Sequence, residues 1–223
     1  MKESEIMINI LNDQDLVKLN HSAAHVMAQA IKRLYPQANF WVGPVITSGF
    51  YYDIDLYGEV ISEADFEKIE REMKKISKDG KRISRAELSR KEALDLFKDD
   101  PYKVDLINEL PEDEVISTYK QGEFIDLCRG PHVDTVKEVK YFKLLKVSGA
   151  YFKGDSKNKQ LQRVYGIAFE NQEDLDNHLH LLEEAAKRDH KKLGRELDLF
   201  MMSKYSVGHP FFLDNGMRVI REL

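Results

Sequence analysis

The sequence contains a single cysteine, Cys128, and no long run of apolar residues. One cysteine cannot form a disulfide within the chain, which is typical of a reducing compartment. No stretch approaches the roughly 18 consecutive apolar residues of a membrane-spanning helix, and the first residues lack the basic and apolar regions of a signal peptide. Low-complexity tracts and internal repeats are also missing. We therefore predict a soluble cytoplasmic protein without a membrane partner.

Basic residues are slightly fewer than acidic residues. The chain of 223 residues has 34 lysines and arginines against 39 aspartates and glutamates, a net charge of −5. This balance excludes a generally basic nucleic-acid binder, so any contact with phosphates has to come from a local patch. Two segments are locally basic, 78–91 and 187–195, and each is either a solvated face or a phosphate-binding surface. The candidate contacts in the second segment are Lys187, Arg188, Lys191 and Lys192.

Start and stop signals predict several helices. The first helix is expected from about Asp15 to Tyr35, where Pro36 ends it. Ser62 and Asp65 form a capping box for an amphipathic helix that continues to about Lys78. A long charged helix is expected over residues 171–200, where the composition changes.

Strand signals lie between these helices. Aromatic and β-branched runs predict one hairpin that turns at 47–49 and a second that turns at 121–122, and two more strands flank a polar turn at 156–159. We therefore predict an α+β fold: an antiparallel sheet with packed helices, followed by a long linker helix.

Two histidines on the first helix are candidate functional residues. His21 and His25 are four residues apart, so both imidazoles lie on one face of the helix. The apolar stripe that includes Leu19, Val26 and Met27 lies on the other side, which argues against a position of the histidines in the core. The alternative is a pair of solvated surface histidines.

A second pair of candidates follows the predicted hairpin at 121–122. Cys128 and His132 would lie about 13 Å apart in an extended chain, but Gly130 and Pro131 can turn the chain so that both side chains face one point. Three imidazoles and one thiol are suitable ligands for zinc, and they are also groups that carry protons in hydrolysis. The alternative is a buried structural cysteine beside an exposed histidine.

Three further side chains are candidates for the same pocket. Asp126 precedes Cys128 by two residues, so both face one side of a strand. Tyr51 and Tyr52 point to opposite sides of their strand, so only one of them can face the pocket. Lys103 follows Pro101 in a short polar-flanked segment, and nothing in its local sequence distinguishes it from a solvated surface lysine.

Five segments between about residue 15 and 200 are, in chain order, HSAAHVMAQAI, GPVITSGFYYDID, FIDLCRGPHV, SGAYFKGDSKNKQLQRVYGIAF and EEAAKRDHKKLGRELDLF. They resemble consecutive segments of the bacterial-type threonyl-tRNA synthetase family, in the family's order. The last residues of the chain resemble the beginning of that family's class II catalytic domain, up to its first motif. The editing domains of alanyl-tRNA synthetases share the HxxxH and CxxxH pattern, but the third, fourth and fifth segments favour the threonyl family.

This resemblance implies an editing domain that hydrolyses serine wrongly attached to threonine tRNA. It implies three parts, with the editing domain at 1–170, a linker helix at 171–200 and a truncated start of the catalytic domain at 201–223. Its implied partner is the acceptor end of the tRNA. The isolated fragment is expected to be monomeric, whereas the full-length enzyme is expected to dimerise through the missing domain.

The resemblance also assigns roles to residues of this chain. Lys103 and a histidine, His21 in the first place, are expected to position or activate water, while Asp126 holds the seryl amino group or the terminal adenosine. Tyr52 matches a further substrate-binding position. The catalytic set implied by the family is His21, His25, Lys103, Asp126, Cys128 and His132.

The expected editing reaction needs no cofactor. ATP and a synthetic zinc belong to the missing catalytic domain, so no aminoacylation is expected from this chain alone. Zinc bound at His21, His25, Cys128 and His132 would be adventitious. Two alternatives remain open: a free-standing zinc-dependent deacylase of the alanyl type, and a non-catalytic tRNA-binding module.

Overall fold

The computed structural model describes residues 8–188, 190–203 and 206–222. These residues divide into two compact units, with the first at Ile8–Leu175 and the second from Asp176 onward. The helices and strands of the first unit are α1 (Gln14–Leu34), β1 (Asn39–Phe40), β2 (Val45–Ile46), β3 (Gly49–Asp55), α2 (Phe66–Asp79), β4 (Ile83–Leu88), α3 (Arg90–Leu96), α4 (Pro101–Glu109), β5 (Ile116–Gln121), β6 (Phe124–Leu127), β7 (Tyr141–Tyr151) and β8 (Gln160–Phe169).

Two antiparallel sheets form the framework of this unit. The larger has the strand order β1-β3-β8-β7, with β2 also paired to β3, and the smaller has the order β4-β5-β6. The hairpins predicted around 47–49 and 121–122 and the strands around 156–159 are present, which confirms the predicted α+β class. Gly49 is required in the first hairpin because its φ is +126° and a Cβ there would lie 2.2 Å from the carbonyl oxygen of Gly166.

Strand β4 was missed by the sequence analysis. Residues 83–88 lie within the basic segment 78–91 and are mostly exposed, so they carry little of the apolar alternation that identifies a half-buried strand. The structure pairs Ile83 with Gln121 and Leu88 with Ile116 along the edge of the small sheet. Arg90, from the same basic segment, donates hydrogen bonds to the carbonyl oxygens of Leu110 and Pro111, so its guanidinium has a structural role.

Helix α1 lies at the centre of the unit. Asp13 caps its N-terminus by accepting hydrogen bonds from the backbone of Asp15 and Leu16, and the helix ends two residues before Pro36, as predicted. Its residues from Leu19 to Ile31 are buried on every side except at His21. The expectation that the histidine face lies outside the core is therefore wrong for His25, which is only 2% exposed.

The sheets explain this burial. The apolar face of α1 packs against β3, β8 and α2, as its stripe predicts, and the capping box of Ser62 and Asp65 begins the helical segment that leads into α2. The opposite face is covered by the hairpin of β5 and β6 and the loop that follows it. Gln121 donates a hydrogen bond to Gln29, and Val133 donates one to Ser22. The helical spacing of apolar residues in the sequence cannot predict these long-range contacts.

Asn20 connects α1 to the centre of the large sheet. Its amide nitrogen donates to the carbonyl oxygens of Leu16 and Ala168 at 2.9 Å, and its amide oxygen accepts from the backbone nitrogen of Ala168 at 3.0 Å. All of these groups are buried or nearly so. Without Asn20, the two backbone groups of Ala168 lose these partners in a place that water cannot reach.

The second unit contains the remaining elements. They are α5 (Gln172–Lys187), which begins in the first unit, α6 (His190–Glu196), β9 (Phe200–Ser203), β10 (Ser206–Phe212) and α7 (Asp214–Glu222). Two helices, α5 and α6, thus take the place of one continuous helix over 171–200. Strands β9 and β10 form an antiparallel pair. Within the described parts of the chain, no helix has the length and apolar character needed to cross a membrane.

The role of Asn20 can be measured by substitution. We expect Asn20→Leu, which keeps the volume but removes the polar atoms, to lower the free energy of unfolding by about 2–4 kcal/mol because it leaves buried backbone groups unpaired. Denaturant unfolding followed by circular dichroism gives this value. Gln14→Ala, at an exposed position on the same helix, is the control and should stay within about 0.5 kcal/mol of wild type. An equally small effect for Asn20→Leu would show that the connection to β8 is dispensable.

Candidate active site

The structure brings the two histidines of α1 to the cysteine and histidine of the loop after β6. The Sγ of Cys128 lies 3.2 Å from the Nε2 of His21 and 3.2 Å from the Nε2 of His132. One donor atom from each of these residues and from His25 lies within 4.8 Å of all the others. The sequence prediction that Cys128 and His132 face one point is confirmed. We refer to these four residues as the His/Cys cluster.

The turn at Gly130 and Pro131 makes this geometry possible. Gly130 has a φ of +74°, and its backbone nitrogen donates a hydrogen bond to the Sγ of Cys128 at 3.3 Å. A Cβ at this position would lie 2.2 Å from the hydroxyl oxygen of Tyr119. Glycine is therefore required both for the backbone conformation and for the close approach of the tyrosine, whose ring packs against His132.

The hydrogen-bond network assigns the tautomer of His21. Its Nδ1 lies 3.1 Å from the carbonyl oxygen of Pro131. A carbonyl oxygen can only accept, so Nδ1 carries the proton and donates it. In the neutral ring, Nε2 then has a free lone pair, which faces the thiol of Cys128.

The tautomer of His132 follows from Ser22. The hydroxyl of Ser22 uses its single proton in a bond to the carbonyl oxygen of Lys18 at 2.8 Å, and it accepts from the backbone nitrogen of Val133 at 3.0 Å. It must therefore also accept from the Nδ1 of His132, which lies 3.1 Å away. The Nε2 of His132 is left with a lone pair, like that of His21. The thiol has one proton and can donate it to only one of the two rings.

A buried ion pair lies beside the His/Cys cluster. Lys103, in the first turn of α4, is 3% exposed and its Nζ lies 2.6 Å from the Oδ1 of Asp126, which is 2% exposed. The ammonium also donates to the carbonyl oxygen of Trp41 at 3.0 Å and to the hydroxyl of Tyr52 at 3.3 Å. The hydroxyl of Tyr52 in turn donates to the Oδ2 of Asp126. The three donors of the ammonium are thus all used within the chain.

Sequence reasoning alone gave no reason to select Lys103. Asp100 caps α4 through the backbone nitrogens of Tyr102 and Lys103, and Pro101 occupies the first turn, so these local signals place Lys103 at the start of a helix. They do not show that this helix end lies over Asp126. Of the two adjacent tyrosines, Tyr52 faces the pocket, whereas the ring of Tyr51 lies beneath Arg163. The prediction that only one of them can face the pocket is confirmed.

His25 stands between the ion pair and the cluster. Its Nε2 lies 3.6 Å from the Oδ2 of Asp126, which is longer than a hydrogen bond, and its buried Nδ1 has no hydrogen-bond partner among the described residues. Its ring packs against those of Phe124 and His132. The unpaired nitrogen is a place where a bound group can form a hydrogen bond without displacing one already made.

Burial keeps the groups of the His/Cys cluster neutral. Desolvation lowers the pKa values of His21 and His132 and holds the pKa of His25 well below its ordinary value. Neighbouring imidazoles lower the pKa values of His25 and His132 further. Desolvation also raises the pKa of the Cys128 thiol to about 12. At neutral pH the cluster therefore holds three neutral imidazoles and a thiol. The phenol of Tyr52 also stays protonated because burial and the carboxylate of Asp126 raise its pKa.

The same donor set fits a zinc ion. Zinc in proteins is bound by imidazole nitrogen and thiolate sulfur in a tetrahedral arrangement, and histidine ligands usually donate the other ring N–H to a fixed acceptor. His21 and His132 have such acceptors in Pro131 and Ser22. The buried Nδ1 of His25, which lacks a partner among the described residues, agrees with the same interpretation. The cluster is therefore compatible with a metal as well as with a metal-free reaction.

Three cavities adjoin these residues. A cavity of about 500 Å³ lies beside His132, and Leu19, Val133 and Lys140 contribute to its walls. A second of about 250 Å³ includes Lys103 and Asp126 in its lining. A third of about 200 Å³ lies next to Cys128 and is mainly apolar. The site is thus accessible from more than one side.

The candidate phosphate contacts near the C-terminal end of α5 have intramolecular partners. Lys187 and Arg188 both form ion pairs with Glu184, at 2.8 and 3.4 Å. Lys192 lies 4.0 Å from Glu196. The side chain of Lys191 lies outside the described residues. The predicted contacts of these four residues with RNA stay a prediction.

Three supporting groups of the site were missed by the sequence analysis. Ser22 fixes the His132 ring through its hydroxyl, and it lies between the two histidines in the quoted HSAAH segment. Trp41 contributes only its backbone carbonyl oxygen, so no side-chain signal could have indicated it. The fixed acceptor for His21, the carbonyl oxygen of Pro131, is invisible to sequence reasoning for the same reason.

Known proteins match the chain over nearly its full length. Residues 116–165 match the family model described as the threonyl and alanyl tRNA synthetase second additional domain. The threonine–tRNA ligase of Clostridioides difficile strain 630 is 58% identical over 205 residues, which is 91% of this chain and 32% of the relative. Threonine–tRNA ligase 2 of Bacillus subtilis strain 168 is 52% identical over 225 residues, which is 100% of this chain and 35% of the relative.

The chain is homologous to a segment of threonyl-tRNA synthetases. It spans about a third of the length of these relatives. The resemblance to the threonyl-tRNA synthetase family that the sequence motifs indicated is thereby confirmed. The matched segment of the family model contains Asp126, Cys128 and His132, whereas His21, His25 and Lys103 lie outside it. In the structure, these two groups of residues lie together in one site.

The lowered histidine pKa values predict an acid-sensitive fold. The ordinary pKa is 6.5, so below that pH the unfolded chain takes up protons that the buried imidazoles do not. Stability is therefore full above pH 6.5 and falls as the pH is lowered towards the folded-state pKa values, by about 1.4 kcal/mol per pH unit for each histidine that stays neutral. Denaturant unfolding between pH 7.5 and pH 5.5 (about the range in which histidine titrates), with chelator present, measures this slope.

A variant isolates the contribution of the site. His132→Asn should reduce the slope of the unfolding free energy against pH by about 1.4 kcal/mol per pH unit, the value for one proton. The reason is that it removes one buried imidazole and leaves the carboxylates unchanged. His180→Asn, at an exposed histidine of α5, is the matched control. Identical slopes in wild type and His132→Asn would mean that His132 is not held neutral in the folded protein.

Proposed function

We propose that this chain hydrolyses the ester bond of serine wrongly attached to threonine tRNA, as the editing part of a threonyl-tRNA synthetase. Its homology to threonine–tRNA ligases supports the choice of tRNA, and the acceptor end carries the bond that is cut. The unit at Ile8–Leu175 is the proposed editing domain. The compartment of protein synthesis, the cytoplasm, is its proposed location.

One observation carries the proposal. Two neutral imidazoles direct their Nε2 lone pairs at a single thiol, which has only one proton to donate. At least one lone pair is therefore available to a water molecule or a substrate hydroxyl. A general base for hydrolysis needs this combination of a fixed ring, a neutral state and an accessible lone pair.

His21 is the proposed general base. Its ring is held by Pro131, and it accepts a proton at Nε2 from the attacking water. The oxygen of that water forms a bond to the carbonyl carbon of the seryl ester, and the bond from this carbon to the ribose oxygen breaks. The proton from His21 passes to the departing ribose oxygen, so free serine and an uncharged tRNA end are formed. Cys128 and His132 shape the pocket around the reacting atoms.

Lys103 and Asp126 are proposed to position the substrate. Because the ammonium of Lys103 already donates to Asp126, Trp41 and Tyr52, it cannot orient water unless one of these bonds opens. Its fixed charge instead contributes an electrostatic field at the pocket, which favours the negative charge that develops on the ester oxygen. Asp126 keeps acceptor capacity for the seryl ammonium or for the terminal adenosine.

Steric exclusion is the proposed source of specificity. Serine lacks one methyl group of threonine, and a missing methyl is worth only about 1–3 kcal/mol in the synthetic site. A second, hydrolytic pocket accepts serine and excludes threonine, since the additional methyl of threonine clashes with the wall or displaces the attacking water. A displaced water is sufficient, because orientation supplies much of the catalytic advantage.

The editing reaction is proposed to need no metal. If zinc is bound, His21, His25, Cys128 and His132 would hold it, and it would supply Lewis-acid chemistry. In that case the protein residues keep their positioning roles, and the activity corresponds to that of an alanyl-type, zinc-dependent deacylase. The fit of the donor set is the specific observation that favours this second candidate.

Substitution of His21 tests the proposed base. His21→Asn keeps a donor near the position of Nδ1 but removes the basic nitrogen, so we expect single-turnover hydrolysis of Ser-tRNA to fall by about 10²–10⁴. Circular dichroism and the unfolding midpoint show whether the fold is retained. His180→Asn is the control and should keep the wild-type rate.

Three outcomes contradict the proposal. Full activity in His21→Asn would remove His21 from the role of base. Equal hydrolysis of Ser-tRNA and Thr-tRNA by the wild type would remove the steric selection. A complete lack of hydrolysis by the folded wild type would favour the non-catalytic tRNA-binding alternative.

Removal of metal distinguishes the two enzymatic mechanisms. We expect the same single-turnover rate with Ser-tRNA before and after exhaustive chelation, because the proposed base is an imidazole and not a bound hydroxide. Metal content measured on the same samples shows that chelation is complete. Activity that is lost on chelation and restored only by zinc would establish the zinc-dependent mechanism.

A further inference from the structure

A groove lined by lysines lies on the unit at Ile8–Leu175, apart from the His/Cys cluster. The cavity has a volume of about 400 Å³, and among the described residues no acidic side chain contributes to its lining. We call it the lysine groove. Its lining residues are Lys74, Ser77, Lys78, Lys137 and Lys140.

Two distant segments build the groove. Lys74 and Lys78 are four residues apart on α2, so they project from one face of the helix. The other two lysines come from the segment that follows the His/Cys cluster. That segment is fixed against the end of α2, because the backbone nitrogen of Val136 donates to Lys81 at 3.0 Å and that of Ile83 donates to Asp134 at 2.9 Å. The groove is therefore a defined feature of the fold.

The positive charge of the groove has no close acidic partner in the described part of the chain. None of its four lysines has an ion pair among the described residues, and all four are exposed. Neighbouring lysines differ, since Lys75 pairs with Glu72 at 2.9 Å and Lys143 pairs with Glu70 at 3.0 Å. In a chain of net charge −5, four unpaired lysines around one cavity form a local site for a polyanion.

The lysine groove and the cavity of about 500 Å³ beside His132 share one lining residue. Lys140 lines both the lysine groove and the cavity of about 500 Å³ beside His132. The two cavities are therefore neighbours, and a chain of phosphates held in the groove lies close to the cavity beside His132. The acidic residues of that second cavity, among them Asp134 and Glu170, disfavour phosphates there, so the phosphates are held in the groove.

We propose that the lysine groove binds the phosphodiester backbone of an RNA whose end enters the cavity beside His132. This inference rests on the proposed function, because it assumes that the substrate is an RNA end. It assigns phosphate contact to Lys74, Lys78, Lys137 and Lys140, of which only Lys78 lies in a segment that the sequence analysis considered as a phosphate-binding surface. Recognition is by charge and does not depend on base sequence.

Binding of uncharged RNA tests the groove independently of catalysis. The probe is a fluorescently labelled, uncharged transcript of threonine tRNA, with anisotropy measured at several salt concentrations. The test variant changes the four groove lysines to glutamine. The matched control changes four exposed lysines outside the groove, Lys91→Gln, Lys98→Gln, Lys120→Gln and Lys157→Gln, so both proteins carry the same net charge.

The groove variant should bind at least tenfold more weakly than the control. Its plot of log affinity against log salt should be less steep by about 0.7–0.9 for each phosphate contact that is lost. Equal affinity and equal slope in the two variants would overturn the proposal. Loss of binding to anionic phosphatidylserine vesicles, with RNA binding unchanged, would also overturn it.

The assay distinguishes this proposal from that of editing. A groove variant that loses RNA affinity supports the groove even if the wild type hydrolyses no ester. Unchanged RNA affinity overturns the groove even if the wild type hydrolyses Ser-tRNA and spares Thr-tRNA. Thermal unfolding of both quadruple variants shows whether any loss of affinity comes from unfolding.

Discussion

The burial of helix α1 from Leu19 to Ile31, with only His21 partly exposed, is the constraint on which the rest of the structure depends. Polar side chains in this covered part of the helix have little contact with water, so most of them form hydrogen bonds with another part of the chain, whereas the Nδ1 of His25 has no partner among the described residues. Asn20 meets the backbone of β8, Ser22 meets His132 and Val133, and Gln29 meets Gln121. These polar contacts fix the positions of the large sheet, the small sheet and the loop after β6 relative to one helix.

The chemistry of the site follows from the same burial. Desolvation keeps the imidazoles neutral, and fixed acceptors hold the protons of His21 and His132 on Nδ1, so both Nε2 lone pairs face inwards. In solvent these rings would rotate and would titrate near neutral pH. Lys103 and Asp126 form a buried ion pair beside them, and the hydroxyl of Tyr52 donates to the second oxygen of the same carboxylate. The pocket thus contains neutral imidazole bases next to a buried ion pair.

Positive charge is distributed differently at the surface. Lys187 and Arg188 share one carboxylate, whereas the lysines of the groove beside α2 have no ion-pair partner among the described residues. The density of basic residues along the sequence is similar in the two places, so it cannot separate a solvated ion-paired face from a polyanion site. The difference lies in which acidic side chains the fold brings near, and that depends on contacts between segments about sixty residues apart.

The sequence by itself determined the local elements and the main groups of the site. The caps of α1 and α2, the turn at Gly130 and the spacing of His21 and His25 are local signals, and residues adjacent in the chain fix their geometry. The resemblance to threonyl-tRNA synthetases selected Lys103, which has no local signal. The tertiary structure decided that His25 is buried, that residues 83–88 form an edge strand, and which acceptors set the tautomers. The burial of His25 and the choice of acceptors depend on what covers the second face of α1, and a helical period indicates only that a face is polar, not whether water or protein lies against it.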